Sequence, residues 1–342
     1  ISLTPDVAGT YVIRVTPAGG LTTTAQTWTV TAAAPAAISA AGSTVLIADS
    51  TTTPTTTTNA VAVYGSKSIA SAVAANISVV AGNSTTADTA VSTETLSATI
   101  TGSGLVSWSN SRSAASRSVS AASAGKTGTL YVFSDGTSGV GTISISSAST
   151  VIATKTVTFY GAVATFTATT SKAVIAAGAT TSAVIAVVAK DAAGVVVPSQ
   201  ALTVTSSDTT IVASTTATSS SAAEAAAGTA SVSVTGISAK FGKVTLTFTD
   251  ATTLISATAS VTLSSATPTT VKMAFDKSEY SAGEKMTLTV TATDANGLAV
   301  APVAPISALT SNTSLQGFPT AVTTATVNGS VSYTMYAPLV AG

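Results

Sequence analysis

The acidic residues come first, because this chain holds little else that could do chemistry. Its 342 residues include 13 Asp+Glu and 13 Lys+Arg, with no histidine and no cysteine. Two aspartates recur at matching places, in Asp191-Ala192-Ala193-Gly194 and Asp294-Ala295-Asn296-Gly297. Asp276, Glu279 and Glu284 cluster shortly before the second of these. Calcium needs several oxygen ligands converging on one point, usually from more than one carboxylate. On that basis Asp191, Asp294, Asp276 and Glu279 are the calcium candidates, and calcium is the one ion considered; no cofactor is implied. The plainer alternative is that each Asp-x-x-Gly is a turn whose aspartate bonds its own backbone. Glu279, close to Lys277 and Lys285, then belongs to a solvated charged face.

Much other chemistry is excluded by composition. Without cysteine there is no disulfide framework, thiol nucleophile or thiolate metal site. Without histidine there is no Ser-His-Asp relay, imidazole ligand or neutral-pH switch. The formal net charge is +0 and the basic residues are thinly scattered, so no basic patch is available to neutralise a nucleic-acid backbone. Glycosidase chemistry needs two carboxylates facing each other across a cleft at about 5–10 Å, whereas the acids here are dispersed. The expectation is a protein that is not an enzyme. Four sequons, at Asn76, Asn83, Asn312 and Asn328, are glycosylation candidates. The Thr-rich tract Ser50–Asn59 reads as a solvated loop, either an O-glycan carrier or a flexible linker.

The elements that position these residues are strands. Met286, Leu288, Val290 and Ala292 alternate with Thr287, Thr289, Thr291 and Thr293. Val244, Leu246 and Phe248 alternate with Thr245, Thr247 and Thr249 in the same way. Period-2 alternation of this kind marks sheets with one buried and one wet face. Threonine suits the wet face, since its β-branch favours extended backbone and its hydroxyl stays solvated. Helical periodicity is nearly absent, and Ala222–Ala227 reads as a flexible loop rather than a helical turn. The fold class is therefore all-β. The apolar phase places Tyr11, Ile13, Val15, Trp28, Leu130, Val157, Phe159, Val187, Leu246, Phe248, Leu288 and Val290 in the core.

The strands recur as a larger unit at a spacing of roughly 100–120 residues, the size of an immunoglobulin-like sandwich. Each unit is expected to close with a hairpin: Tyr11–Thr16 with Thr27–Thr31, Leu130–Phe133 with Lys155–Tyr160, and Val244–Thr249 with Ala257–Leu263. The recurrent opening, Ala177-Gly178 followed by Val187-Val188-Ala189-Lys190-Asp191-Ala192-Ala193-Gly194 and then Val196-Val197-Pro198, resembles the bacterial Ig-like domains of invasin/intimin-type adhesins and surface-layer proteins. Asp6-Val7-Ala8-Gly9-Thr10-Tyr11 resembles the tyrosine corner of Ig-type sandwiches. The resemblance implies tandem immunoglobulin-like β-sandwiches: residues 34–160 and 161–265 as two domains, 1–33 as the C-terminal part of another, and 266–342 as the N-terminal part of a fourth. Pro338-Leu339-Val340-Ala341-Gly342 lines up with Pro5-Asp6-Val7-Ala8-Gly9, so the chain reads as a window on a longer tandem array.

Only 8% of residues are charged, against about 25% in ordinary domains. Neutral Thr, Ser and Ala faces approach one another with little desolvation of charge, and net charge near zero favours association. No apolar run reaches the roughly 18–20 residues a membrane helix needs. The expected function is a structural cell-surface protein, a surface-layer or similar self-assembling array, located outside the cell with itself as partner. An invasin/intimin-type adhesin stalk and the accessory domains of a secreted enzyme are the alternatives.

Overall fold

The computed structural model describes residues 7–19, 24–32, 38–60, 62–68, 72–82, 95–121, 127–147, 150–302, 309–311, 315–319, 321–322 and 328–339. The chain forms two compact units, residues 1–159 and 160–342. Strands β1 (Gly9–Val15) and β2 (Gln26–Ala32) make a two-stranded antiparallel hairpin, with Tyr11 opposite Val30 and Ile13 opposite Trp28.

The next region carries β3 (Thr44–Asp49), β4 (Val63–Ser66), β5 (Val73–Val80), β6 (Leu96–Gly102), β7 (Leu105–Ser107), β8 (Ser118–Ala121), β9 (Thr127–Phe133), β10 (Gly139–Ser147) and β11 (Thr150–Tyr160). They form a four-stranded sheet in the order β3-β5-β9-β7 and a five-stranded sheet in the order β4-β11-β10-β6-β8. Their inner faces share one core of Ile, Val, Leu and Ala around Phe159, with Ile77, Leu130, Ile143 and Val157 fully buried.

The second unit begins with β12 (Val163–Thr170), β13 (Val174–Ala176), β14 (Thr180–Asp191), β15 (Ala201–Ser206) and β16 (Thr215–Thr218). After helix α1 (Ala222–Ala227) come β17 (Val232–Thr235), β18 (Gly242–Asp250) and β19 (Ser256–Ser264). The two sheets have the orders β12-β14-β17 and β13-β19-β18-β15-β16, which repeat the preceding sandwich apart from its short edge strand β7. Val187, Leu246, Phe248 and Leu263 meet in its core. The last region holds β20 (Thr270–Phe275), β21 (Lys285–Thr293) and β22 (Ser330–Tyr336), in one three-stranded sheet ordered β20-β21-β22. These sheets are tandem Ig-like β-sandwich architecture, in which two facing sheets bury alternate residues against each other; pairing is mostly antiparallel, while β13 runs parallel to β19.

Three expectations are corrected. The strand Leu130–Phe133 does not pair with Lys155–Tyr160: β9 lies beside β5 and β7, and β11 lies between β4 and β10. Strand β10 escapes a reading by alternation because it carries glycine on part of its inward phase. Gly141 sits opposite Gly102, and a Cβ there would come within 2.1 Å of the Ser103 carbonyl oxygen. Close approach of two strand edges thus removed the side chain that would have signalled a strand.

Ala222–Ala227 is a helix rather than a loop. Ser221 accepts a hydrogen bond from Glu224 N–H, and the Glu224 carboxylate accepts one from Ser221 N–H, which is a complete capping box. Gly228 ends the helix at φ 66°, a left-handed residue of the sort that stops helices. Ser221-Ala222-Ala223-Glu224 was the legible signal.

The third correction concerns the first hairpin. Val15 is 61% and Trp28 67% exposed, and Tyr11 and Ile13 are only half-buried. Their phase is right, since all four lie on one face, but no second sheet among the described residues covers that face. The other eight expected core residues are all buried.

Candidate functional site

The two recurrent aspartates occupy the same station in successive repeats. Asp191 ends β14 and Asp294 follows the equivalent strand β21, and each is almost fully buried, at 4% and 3% exposure. Asp191 Oδ1 accepts from the N–H groups of Ala193 and Val195, both at 2.9 Å, and Oδ2 accepts from Gly161 N–H at 2.7 Å. Asp294 repeats the pattern: Oδ1 accepts from Asn296 at 2.8 Å and Leu298 at 3.0 Å, and Oδ2 from Ser265 at 3.0 Å. One oxygen therefore closes the turn, while the other holds the backbone just ahead of the domain's first strand. Gly194 and Gly297, at φ 80° and 74°, supply the left-handed residue the turn requires. Burial pushes the Asp294 carboxyl up, but the N–H groups of Ser265, Leu298 and Asn296 outweigh it and hold the pKa below the usual 3.8.

Several other acids among the described residues are engaged in local turns. Asp276 Oδ1 accepts from Tyr280 Oη at 2.7 Å and Thr287 N–H at 2.6 Å, and these two bonds lower its pKa. Glu279 is exposed on the same segment. Lys277 pairs with Glu284 and Arg117 with Asp135. Asp49, Asp135 and Asp208 each accept from the N–H and hydroxyl of a threonine two residues on, and Asp250 from those of Thr253. Among the described residues no group of three or more carboxylates, histidines or cysteines is placed to hold a metal. Asp191, Asp294 and Asp276 lie on separate turns; the first two spend both oxygens on protein donors, and Asp276 spends its Oδ1.

Asn76 lies in the middle strand of its sheet, between β3 and β9. Its Nδ2 donates to the Ser50 carbonyl at 3.4 Å, while Oδ1 is buried without a partner. Asn328 is exposed in a turn with φ 51°. Asn83 and Asn312 lie outside the described residues. The Ser50–Asn59 tract has a defined fold: Thr58 Oγ1 donates to the Thr53 carbonyl at 2.9 Å, and Asn59 Oδ1 accepts from Ile47 N–H at 3.0 Å. The Tyr11 hydroxyl donates to the Val7 carbonyl and accepts from Val7 N–H, so a tyrosine corner is present at the start of β1.

Two surface features remain once these polar groups are accounted for. The outer faces of the strands carry hydroxyls that bridge neighbouring strands: Thr245 with Ser260 at 3.1 Å, Thr289 with Ser332 at 3.1 Å and Thr180 with Thr235 at 2.8 Å. Hydroxyls used sideways in this way leave surfaces sparse in charge, on which Lys243 of β18 and Lys285 of β21 are exposed cations. The second feature is a pair of open apolar rows. One is Tyr11, Ile13, Val15 and Trp28 on the first hairpin. The other is Val271, Met273 and Phe275 on β20, exposed at 41%, 58% and 43%. No helix among the described residues is long and apolar enough to cross a membrane.

No protein-family model and no curated protein matches the sequence. Solved structures similar to the chain include the Escherichia coli adhesin FdeC, at 15% identity over 90% of this chain and 91% of that one, with a TM-score of 0.27. Invasin, a bacterial integrin-binding protein, aligns at 13% identity over 97% of this chain and 65% of its own, with a TM-score of 0.30. Domains 4–9 of the surface-layer protein SbsC align at 15% identity over 86% of this chain and 43% of their own, with a TM-score of 0.27. With scores this low, the fold assignment rests on the sheet topology itself: this is a string of Ig-like β-sandwiches.

Proposed function

We propose that this chain is a structural, non-enzymatic component of the cell exterior, belonging to a surface layer or a similar array that assembles from copies of itself. The observation that carries the reading is the chemistry of the outer strand faces. They are built of Thr, Ser and Ala in a chain with 8% charged residues and no net charge, and their hydroxyls are bonded across strands. Two such faces meet with few ions to strip of water, since charge on them is limited to scattered residues such as Lys243 and Lys285, and that desolvation is the main cost of joining charged surfaces. Most of the carboxylates among the described residues, Asp191 and Asp294 foremost, are committed to turns that fix the backbone. The sandwiches supply stiffness and the neutral faces supply repeated weak contacts.

Electron microscopy of the purified 342-residue chain at near-neutral pH and moderate salt tests this. Sheets, tubes or filaments are expected. Dispersed single particles at all concentrations would instead favour a stalk of the invasin/intimin type, which holds a binding tip away from the cell. Because the contacts proposed are uncharged, raising the salt is expected to leave assembly unchanged or strengthened rather than dissolve it.

A further inference from the structure

The two complete sandwiches differ at one place between their sheets. From Leu96 to Trp108 and from Leu202 to Ser214 they run in step. Leu96 and Leu202 lie opposite Ser147 and Asp250, and Ala98 and Val204 lie opposite Ile145 and Phe248. Further along each chain segment, Val106 and Val212 are both buried in the core. In the first sandwich β7 pairs with β9, with Leu105 opposite Phe133. The second keeps one bond of that kind, from Ile237 N–H to the Ile211 carbonyl at 2.9 Å. Just after the buried valine the two part. The first has Trp108, whose ring packs against the core and lies over Gly128, where a Cβ would come within 3.1 Å of it. The second has Ser214, which is exposed. Its chain then turns at once into β16, without the excursion through Arg112–Ala114 that leads the first sandwich to β8.

Where the first sandwich keeps its ring, the second has a crevice of about 280 Å³ between β16 and β17, walled by Val204, Val212, Ser214, Val232, Val234 and Leu246. Val232, which stands before Ile237 as Gly128 stands before Phe133, fills part of the space, and the rest is open. An apolar cavity of about 150 Å³ admits benzene, so this one has room for a two-ring group. No residue lining it is charged, so a charged occupant would lose its hydration without gaining a partner. Both flanking strands end their sheets, in the orders β12-β14-β17 and β13-β19-β18-β15-β16. The outer edge of β9 carries β7, whereas among the described residues no strand lies on the outer edge of β17, which leaves backbone groups for an added strand. We propose that this crevice docks a partner polypeptide: an extended, uncharged segment that lies along β17 and inserts one tryptophan or similar aromatic side chain. The first sandwich shows the chemistry that fits, since Leu105-Val106-Ser107-Trp108-Ser109 is neutral, begins as a strand and carries one ring. The site goes beyond the self-assembly reading and does not depend on it.

The probe is a synthetic peptide with the sequence of residues 103–110, Ser-Gly-Leu-Val-Ser-Trp-Ser-Asn, blocked at both ends. The target is the full 342-residue chain, and hydrogen exchange read by mass spectrometry reports binding whether that chain is dispersed or assembled. Saturating peptide is expected to slow exchange in Val232–Thr235 by at least about tenfold and to leave the 34–160 sandwich unchanged. The same peptide with Trp108→Ala, and free indole, should each need at least about tenfold more for equal protection. In the chain, Ser214→Trp fills the crevice from its own wall and should abolish the effect. Thr216→Trp, on β16, is a second blocking variant that keeps the bond from Ser206 N–H to Ser214 Oγ. Both positions are exposed, and unchanged exchange in β18 and β19 shows that the sandwich stays folded. No protection of β17 at about 1 mM peptide, enough to half-fill even a millimolar site, overturns the proposal. Protection that persists in both variants overturns it as well. Indole that protects as strongly as the peptide overturns the polypeptide partner in favour of a small aromatic compound.

Discussion

Hairpins β1–β2 and β18–β19 share a register, an alternation and a leading glycine, yet one is exposed and the other is the centre of a core. Leu246 and Phe248 are 2% and 0% exposed, whereas Val15 and Trp28 are 61% and 67% exposed. Nothing in the hairpins themselves accounts for this. The difference is the facing sheet: β14 and its neighbours close over β18–β19, and no sheet of the described structure closes over β1–β2. A hairpin of this kind is half of an interaction, and the free energy of burying its apolar phase belongs to the partner as much as to the strand.

Truncating the buried hairpin should have the largest effect. Phe248→Ala is expected to cost about 3–5 kcal/mol by urea unfolding of the chain, while Trp28→Ala at low protein concentration should stay within about 0.5 kcal/mol. Equal costs would break the comparison.

The carboxylate that anchors the next domain comes second. Asp294→Ala leaves the N–H groups of Ser265, Asn296 and Leu298 without their acceptor, for a loss of about 2–3 kcal/mol, visible as faster hydrogen exchange around Leu298. The pH dependence has a definite sign. Since the folded pKa of Asp294 lies below the usual 3.8, its stabilisation is fully present above about pH 4 and is lost as the pH falls through the lower folded value. Asp294→Asn should flatten that acid limb and lower stability at neutral pH.

Smaller effects sharpen the picture. Ser221→Ala removes the cap of α1 and should cost about 1 kcal/mol, read by hydrogen exchange at Glu224. Tyr11→Phe deletes the corner hydroxyl and should loosen β1 by about 0.5–1.5 kcal/mol. Because β1–β2 is uncovered, that loss should show in local exchange at Val7 and not in global unfolding.

Several features needed only local chemistry and were legible as sequence. The Thr/Val alternation of β18 and β21 sets which face turns inward, because successive side chains point to opposite sides of a strand. Asp191 and Asp294 announce their turns because an aspartate followed by glycine three residues later bonds its own backbone. The tyrosine corner follows from Val7-Ala8-Gly9-Thr10-Tyr11 in the same local way. The capping box at Ser221 and Glu224 was equally local, but alanine-rich surroundings without an apolar face masked it.

What the sequence determined by itself, then, is strand phase, turn position and the neutral character of the surface, since each depends on a few consecutive residues. Tertiary structure alone decided which strands are neighbours and which inward faces find cover. The chain carries no sign that β9 lies in the sheet opposite β11, or that Gly141 is small because Ser103 presses against it. It gives equal apolar phase to Trp28 and Ala259 but buries only the latter. Pairing and burial depend on segments distant in sequence, and an apolar face becomes a core only when another surface removes it from water.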